Sequence, residues 1–129
     1  MTALYQSREL ATSVSEKLKV YAQPQRLMIL SCLLRGERNV AEIGEATGIG
    51  QPALSQQLAE LRRANLVSTS KEAKQVWYAL ADGDVGVCVQ TMEAIFGRGE
   101  QALTHAMAPK HSFLEPAPNG VAAFAQIVA

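Results

Sequence analysis

The stretch AEIGEATGIGQPALSQQLAELRR gathers side chains suited to reading a flat edge of hydrogen-bond donors and acceptors: Gln51, Ser55, Gln56 and Gln57, with Arg62 as a cation further along. A glutamine amide can bond adenine at N6 and N7 together, and a serine hydroxyl donates or accepts. Lys71 and Lys74 follow at the polar point between two β-prone runs, where positive charge gains from nearby phosphates. Taken singly, each of these reads as a solvated surface residue. Their joint placement on and just after one helix favours contact with nucleic acid.

Two thiols are the other candidates for chemistry, Cys32 and Cys88. Residue type and periodicity leave two readings open. Unpaired cysteine is among the most buried residue types and often acts as a small hydrophobe; equally, both could be reactive. No C-x-x-C redox motif, Gly-rich phosphate loop or Ser, His and Asp set is present, so an enzyme is not expected. His105 and His111 are six apart, a spacing that does not put two metal ligands on one helical face.

These residues need elements to position them. Leu10, Val14 and Leu18 recur every four residues across 7–21 and predict helix one. Pro24 suits the first position of helix two, with Leu27, Leu30 and Leu34 as its buried stripe and Gly36 as its stop. Asn39 followed by Glu42 has capping-box spacing, and Gly48 can end the short helix 40–47 in a left-handed conformation. Pro52 opens helix four, whose inner side is Leu54, Leu58 and Leu61.

The runs 66–70 and 75–80 predict a hairpin around the polar centre Lys71, Glu72, Ala73 and Lys74. Asp82 caps a fifth helix through Phe96, with the apolar stripe Val85, Cys88, Val89 and Met92, and Gly97 after it. Residues 100–107 are expected to add a sixth helix. The tail beyond Met107, with prolines at 109, 116 and 118, fits no single element.

A chain of 129 residues is sized for one core. Its net charge is zero, but unevenly spread: residues 1–80 hold ten Lys and Arg against seven Asp and Glu, whereas 81–129 hold two against five. The positive excess lies with the elements assigned to nucleic acid, whose phosphates supply most non-specific affinity. Charges interrupt every apolar stretch of the N-terminus, so neither a signal peptide nor a membrane span is expected, and the chain reads as cytoplasmic. In that compartment two cysteines are expected as thiols.

The order of elements is that of a winged helix-turn-helix, and three motifs are more specific. Arg26-Leu27 in helix two, Gln51-Pro52-Ala53-Leu54-Ser55-Gln56-Gln57-Leu58 in helix four, and Val76-Trp77-Tyr78-Ala79-Leu80 closing the hairpin resemble the ArsR family of repressors over roughly residues 8–97. One departure is Ala73, where many relatives carry glycine in the wing turn. The resemblance implies a mainly α fold with a small β-hairpin wing, a homodimer through helices one and five, and double-stranded operator DNA as partner. It divides the chain into a DNA-binding and dimerisation domain, 1–97, and a C-terminal helix and tail, 98–129, which is expected to add dimer contacts or to be partly disordered.

Metal-sensing members of that family hold ligands on helix three or on the fifth helix. Here Glu42 is already explained as a cap and only Asp84 and Glu93 remain on the fifth, so no metal or other cofactor is expected. One branch, the persulfide-responsive repressors of the SqrR and BigR kind, carries a cysteine on helix two and another on helix five, and Cys32 and Cys88 match both. The resemblance therefore implies a repressor released from DNA when reactive sulfur species bridge the two thiols. Kept beside it are a metal- or peroxide-responsive repressor of the same family and a winged helix that binds a protein in place of DNA.

Overall fold

Local capping sets most of the helix starts. Ser7 Oγ accepts from Leu10 N at 3.0 Å ahead of α1, Arg8–Tyr21. Gln23 Oε1 accepts from Arg26 N at 2.9 Å ahead of α2, Pro24–Leu34, whose first residue lacks an N–H that would go unpaired there. Asn39 and Glu42 form the expected reciprocal pair, Glu42 N to Asn39 Oδ1 at 2.9 Å and Asn39 N to Glu42 Oε1 at 3.1 Å, opening α3, Val40–Thr47. Asp82 Oδ1 accepts from Val85 N at 3.1 Å at the start of α5, Gly83–Phe96. Each cap satisfies a backbone donor that the helix itself leaves open.

The computed structural model describes residues 1–98. The expected sixth helix at 100–107 and the tail beyond Arg98 lie outside the described residues. A short 3-10 turn, Leu4–Gln6, precedes α1; between α3 and α5 come α4, Ala53–Arg63, and the strands β2, Val67–Glu72, and β3, Gln75–Leu80. Pairing along the hairpin runs from Val67 opposite Leu80 to Glu72 opposite Gln75. A further strand, β1, Arg38–Asn39, pairs with Tyr78 and Trp77 on the other side of β3, giving the antiparallel order β1-β3-β2. The result is the expected mainly α architecture with a hairpin wing.

The chain separates into two compact units, Met1–Gly86 and a second beginning at Val87. The first unit holds a continuous apolar core: Ile29, Leu30 and Leu33 of α2, Ile43 of α3, Leu54, Leu58 and Leu61 of α4, and Val67 of β2. Each such side chain contributes about 1.5–3 kcal/mol by leaving water. The stripe on α2 differs from expectation, since Leu27 and Leu34 are only half-buried. α2 packs against α3, α4 and β3 together, so its inner face is centred on Ile29, Leu30 and Leu33.

On α1 the apolar face stands largely uncovered, with Leu10 36% and Leu18 53% exposed. In the second unit Val89 is buried, while Val87, Cys88 and Phe96 are exposed. Gly97 ends α5 where its residue type requires: a Cβ there would lie 2.6 Å from the Glu93 carbonyl oxygen.

Candidate nucleic-acid interface and thiol positions

The turn between α3 and α4 is built from small residues and one anchor. Gly48 adopts φ +75° and its N–H donates to the Gly44 carbonyl at 2.8 Å, reversing the chain with no Cβ penalty. Ile49 is then buried. At Gly44 a Cβ would sit 3.4 Å from Leu54 Cδ2 and 3.6 Å from the Ile49 carbonyl oxygen, ordinary contact distances. The helix begins one residue later than expected, at Ala53, with Pro52 as a cap residue that offers no side-chain bond. Gln51 supplies it instead, its Oε1 accepting from Ser55 N at 3.2 Å and Ser55 Oγ at 2.7 Å.

With Leu54, Leu58 and Leu61 turned into the core, the opposite face of α4 presents Ser55, Gln56 and Arg62 to solvent, beside the exposed Gln51. Gln57 is different. It is half-buried, its Oε1 accepts from Arg26 Nε at 2.8 Å and its Nε2 donates to Gln25 Oε1 at 3.4 Å. Both ends of its amide are thus engaged by α2, which leaves it poorly placed to meet a base. The helical period explains this, since Gln57 adjoins the buried Leu58 and Gln56 lies a further 100° outward.

A groove of about 490 Å³ follows α4 toward the wing, lined by Ser55, Ala59, Arg62, Arg63, Val40 and Tyr78. Arg63 pairs with Glu60 at 2.7 Å, whereas Arg62 makes no ion pair among the described residues. Tyr78 belongs to the motif that closes the wing but is not among the candidate DNA contacts expected from the sequence. Its position beside α4 depends on how the hairpin folds back, which no local pattern encodes.

At the tip of the wing the connection is tighter than the four-residue polar centre expected. Lys71 and Glu72 belong to β2, opposite Val76 and Gln75, and the turn itself is Ala73 and Lys74, at φ +51° and +70°. Positive φ at both central residues matches the right-handed twist of the strands and usually selects Asn or Gly. Ala73 adopts that conformation with a Cβ. Lys71 and Lys74 both stand in solvent.

Both cysteines are free thiols, Cys32 half-buried on α2 and Cys88 exposed on α5. Cys88 therefore stands off the buried stripe expected of it: Val85 and Val89 are buried, and Cys88 is rotated away from that line. Among the described residues no group of three or more His, Cys, Asp or Glu is arranged to hold a metal, and no helix is long and apolar enough to cross a membrane. His105 and His111 lie outside the described residues.

Comparison with known proteins gives consistent results. Residues 23–69 match the family model described as bacterial regulatory protein, arsR family. The chain is 43% identical over 93 residues to the biofilm growth-associated repressor of Agrobacterium fabrum, covering 72% of this chain and 80% of that one. Its fold resembles the crystal structure of the transcriptional repressor BigR from Xylella fastidiosa, with a TM-score of 0.68 and 36% identity over 74% of this chain and 97% of that one. It also resembles the homodimeric winged helix-turn-helix DNA-binding domain Mb0332 from Mycobacterium bovis, with a TM-score of 0.57 and 26% identity over 92% and 97% of the two chains.

Proposed function

This chain belongs to the ArsR family of bacterial regulatory proteins, and on that premise we propose that it is a cytoplasmic, homodimeric repressor that binds operator DNA when reduced and lets go when Cys32 and Cys88 are bridged by reactive sulfur species. The observation that carries the DNA-binding part is the exposed row Gln51, Ser55, Gln56 and Arg62 on the helix after the Gly48 turn. Two copies of that helix, in successive major grooves of double-stranded DNA, would read base edges. Lys71 and Lys74 at the wing tip would neutralise flanking phosphates. Dimerisation through α1 and α5 would cover Leu10, Leu18, Val87 and Phe96, all exposed in the single chain.

The sensing part rests on two free thiols, at least partly accessible, at the helix-two and helix-five positions of the family's persulfide-responsive branch. The chemistry balances without a metal or a separate oxidant. A Cys32 thiolate attacks the sulfane sulfur of a persulfide RS–SH; a Cys–S–SH forms and RS⁻ leaves. Attack of the Cys88 thiol on the inner sulfur then closes a disulfide and releases hydrogen sulfide. Two persulfidated cysteines condensing would instead give a trisulfide and hydrogen sulfide.

A direct disulfide requires Cα atoms within about 7 Å, and a longer bridge spans more, so geometry can discriminate among inducers. Because a ligand shifts a two-state equilibrium only by its differential affinity, the bridge must disfavour the DNA-binding geometry by about 1–3 kcal/mol. Fluorescence anisotropy of DNA from the protein's own upstream region tests both parts, titrated with reduced protein and again after glutathione persulfide. Tight reduced binding, lost on treatment and restored by dithiothreitol, is expected. Unchanged binding would remove sulfur sensing and leave DNA recognition standing, with a metal or peroxide as inducer. No binding to any DNA would favour a protein-binding winged helix.

A further inference from the structure

Asn39 uses both ends of its side-chain amide. Its Oδ1 accepts from Glu42 N at 2.9 Å as the cap of α3, which fixes the orientation of the amide and turns its other end away from the helix. There Nδ2 donates to Gln75 Oε1 at 3.1 Å, 36 residues along the chain. Asn39 is half-buried and Gln75 exposed. The bond joins the start of the helix-turn-helix to the outer part of the wing, both within the first unit.

The wing has reason to need such a hold. β1 is two residues long and pairs with β3 at Trp77 and Tyr78. Farther out, Gln75 and Val76 are paired among the described strands on one side only, to Glu72 and Lys71, and a two-stranded ribbon by itself is marginal in water. Lys71 sits in one of those two rungs and Lys74 in the turn that closes them. The two wing cations are thus carried by the stretch of hairpin that the sheet supports least, and the Asn39 amide reaches that stretch from the β1 side.

We propose that the Asn39–Gln75 bond is a tether that sets the wing against the helix-turn-helix, so that Lys71 and Lys74 meet DNA phosphates as α4 enters the major groove. The inference rests on the DNA-binding reading above and adds two positioning residues to it, neither of which has to touch DNA. Holding the wing beforehand spares the ordering that binding would otherwise have to supply. A tether acts only through what it holds, so its effect on affinity must vanish when the wing lysines are gone.

Anisotropy of the upstream DNA with the full reduced chain, at low salt, tests this. Gln75→Met keeps the side chain's length and removes the acceptor; Asn39→Ser keeps a capping oxygen and removes the amide that reaches Gln75. Each is expected to weaken binding roughly fivefold, about what one hydrogen bond between neutral groups contributes. Combined, they should lose no more than either alone, since both break the same bond. In a background of Lys71→Ala with Lys74→Ala, neither should change affinity further. Losses of equal size in the two backgrounds, additive losses, or no loss at all would overturn the tether.

A second measurement needs no DNA. Hydrogen exchange of the Glu72 and Gln75 amides, which face each other across the last rung, should be roughly fivefold faster in Asn39→Ser than in the wild type. Asn39→Asp should retain wild-type exchange, because its carboxylate both caps α3 and accepts from the Gln75 amide turned over. Unchanged exchange in Asn39→Ser would overturn the tether even where affinity falls. If the wild type binds no DNA, the DNA-binding reading fails, while exchange still decides whether the bond holds the wing.

Discussion

Arg26 Nε donates to Gln57 Oε1 at 2.8 Å, tying the first turn of α2 to the middle of α4. The same guanidinium reaches back from Nη1 to the Val20 carbonyl at 3.3 Å near the end of α1. Three helices therefore meet at one arginine, and one of them is the helix proposed to read DNA. A hydrogen bond to a charged group contributes about 1.5–3 kcal/mol. Gln57→Ala is expected to lower unfolding free energy by about 1–2 kcal/mol in urea titration, whereas Gln56→Ala stays within about 0.5 kcal/mol. Equal midpoints for the two variants would mean that the Arg26 contact adds nothing.

The exposed residues should divide by role in binding. Gln56→Ala is expected to reduce discrimination at one operator position by about 1–3 kcal/mol per half-site, with little change in salt dependence. Lys71→Ala and Lys74→Ala should weaken binding to all sequences alike. Each should also flatten the plot of log affinity against log salt by about 0.9 per lysine, hence nearly two per dimer. A lysine variant that changes base preference and keeps the salt slope would reverse these assignments.

Ala73 adopts φ +51° in the wing turn. A left-handed conformation costs a residue with a Cβ about 1–2 kcal/mol, and glycine's greater freedom in the unfolded chain returns part of it. Ala73→Gly is thus expected to stabilise the protein by about 0.5–1 kcal/mol, read from the denaturation midpoint at unchanged m-value. A destabilised Ala73→Gly would show that the turn is held by something other than its local backbone preference.

Replacing either thiol should separate binding from sensing. Cys32→Ser and Cys88→Ser, each alone, are expected to retain reduced-state operator affinity within about threefold, a difference of roughly 0.6 kcal/mol. Both should lose release by glutathione persulfide. Mass spectrometry of the treated wild type should find a mass gain or loss that links the two cysteines; a single-cysteine variant that still releases DNA would refute the bridge.

Much of this was legible along the chain because its signals are local. Asn39 and Glu42, or Asp82 and Val85, are three residues apart, and the hydrogen bonds between them need no tertiary contact. The alternation of Leu54, Leu58 and Leu61 with polar residues identified the inner face of α4, and Gly48 identified the turn before it. The strand β1 was missed because two residues, Arg38 and Asn39, carry no periodicity of their own; they are a strand only because Tyr78 and Trp77 lie alongside.

The residue types of the candidate interface, its helix and its wing were determined by the sequence itself, through periodicity, caps and turn chemistry. Which of those residues face outward was decided by tertiary structure. Gln56 and Gln57 are neighbours of identical chemistry, yet one is exposed and the other is bonded to Arg26, 31 positions away. That difference depends on where α2 crosses α4, and a crossing is set by how whole helix faces pack, which no short window of sequence contains. The same holds for Asn39 and Gln75, joined across 36 positions where β1 lies beside the wing.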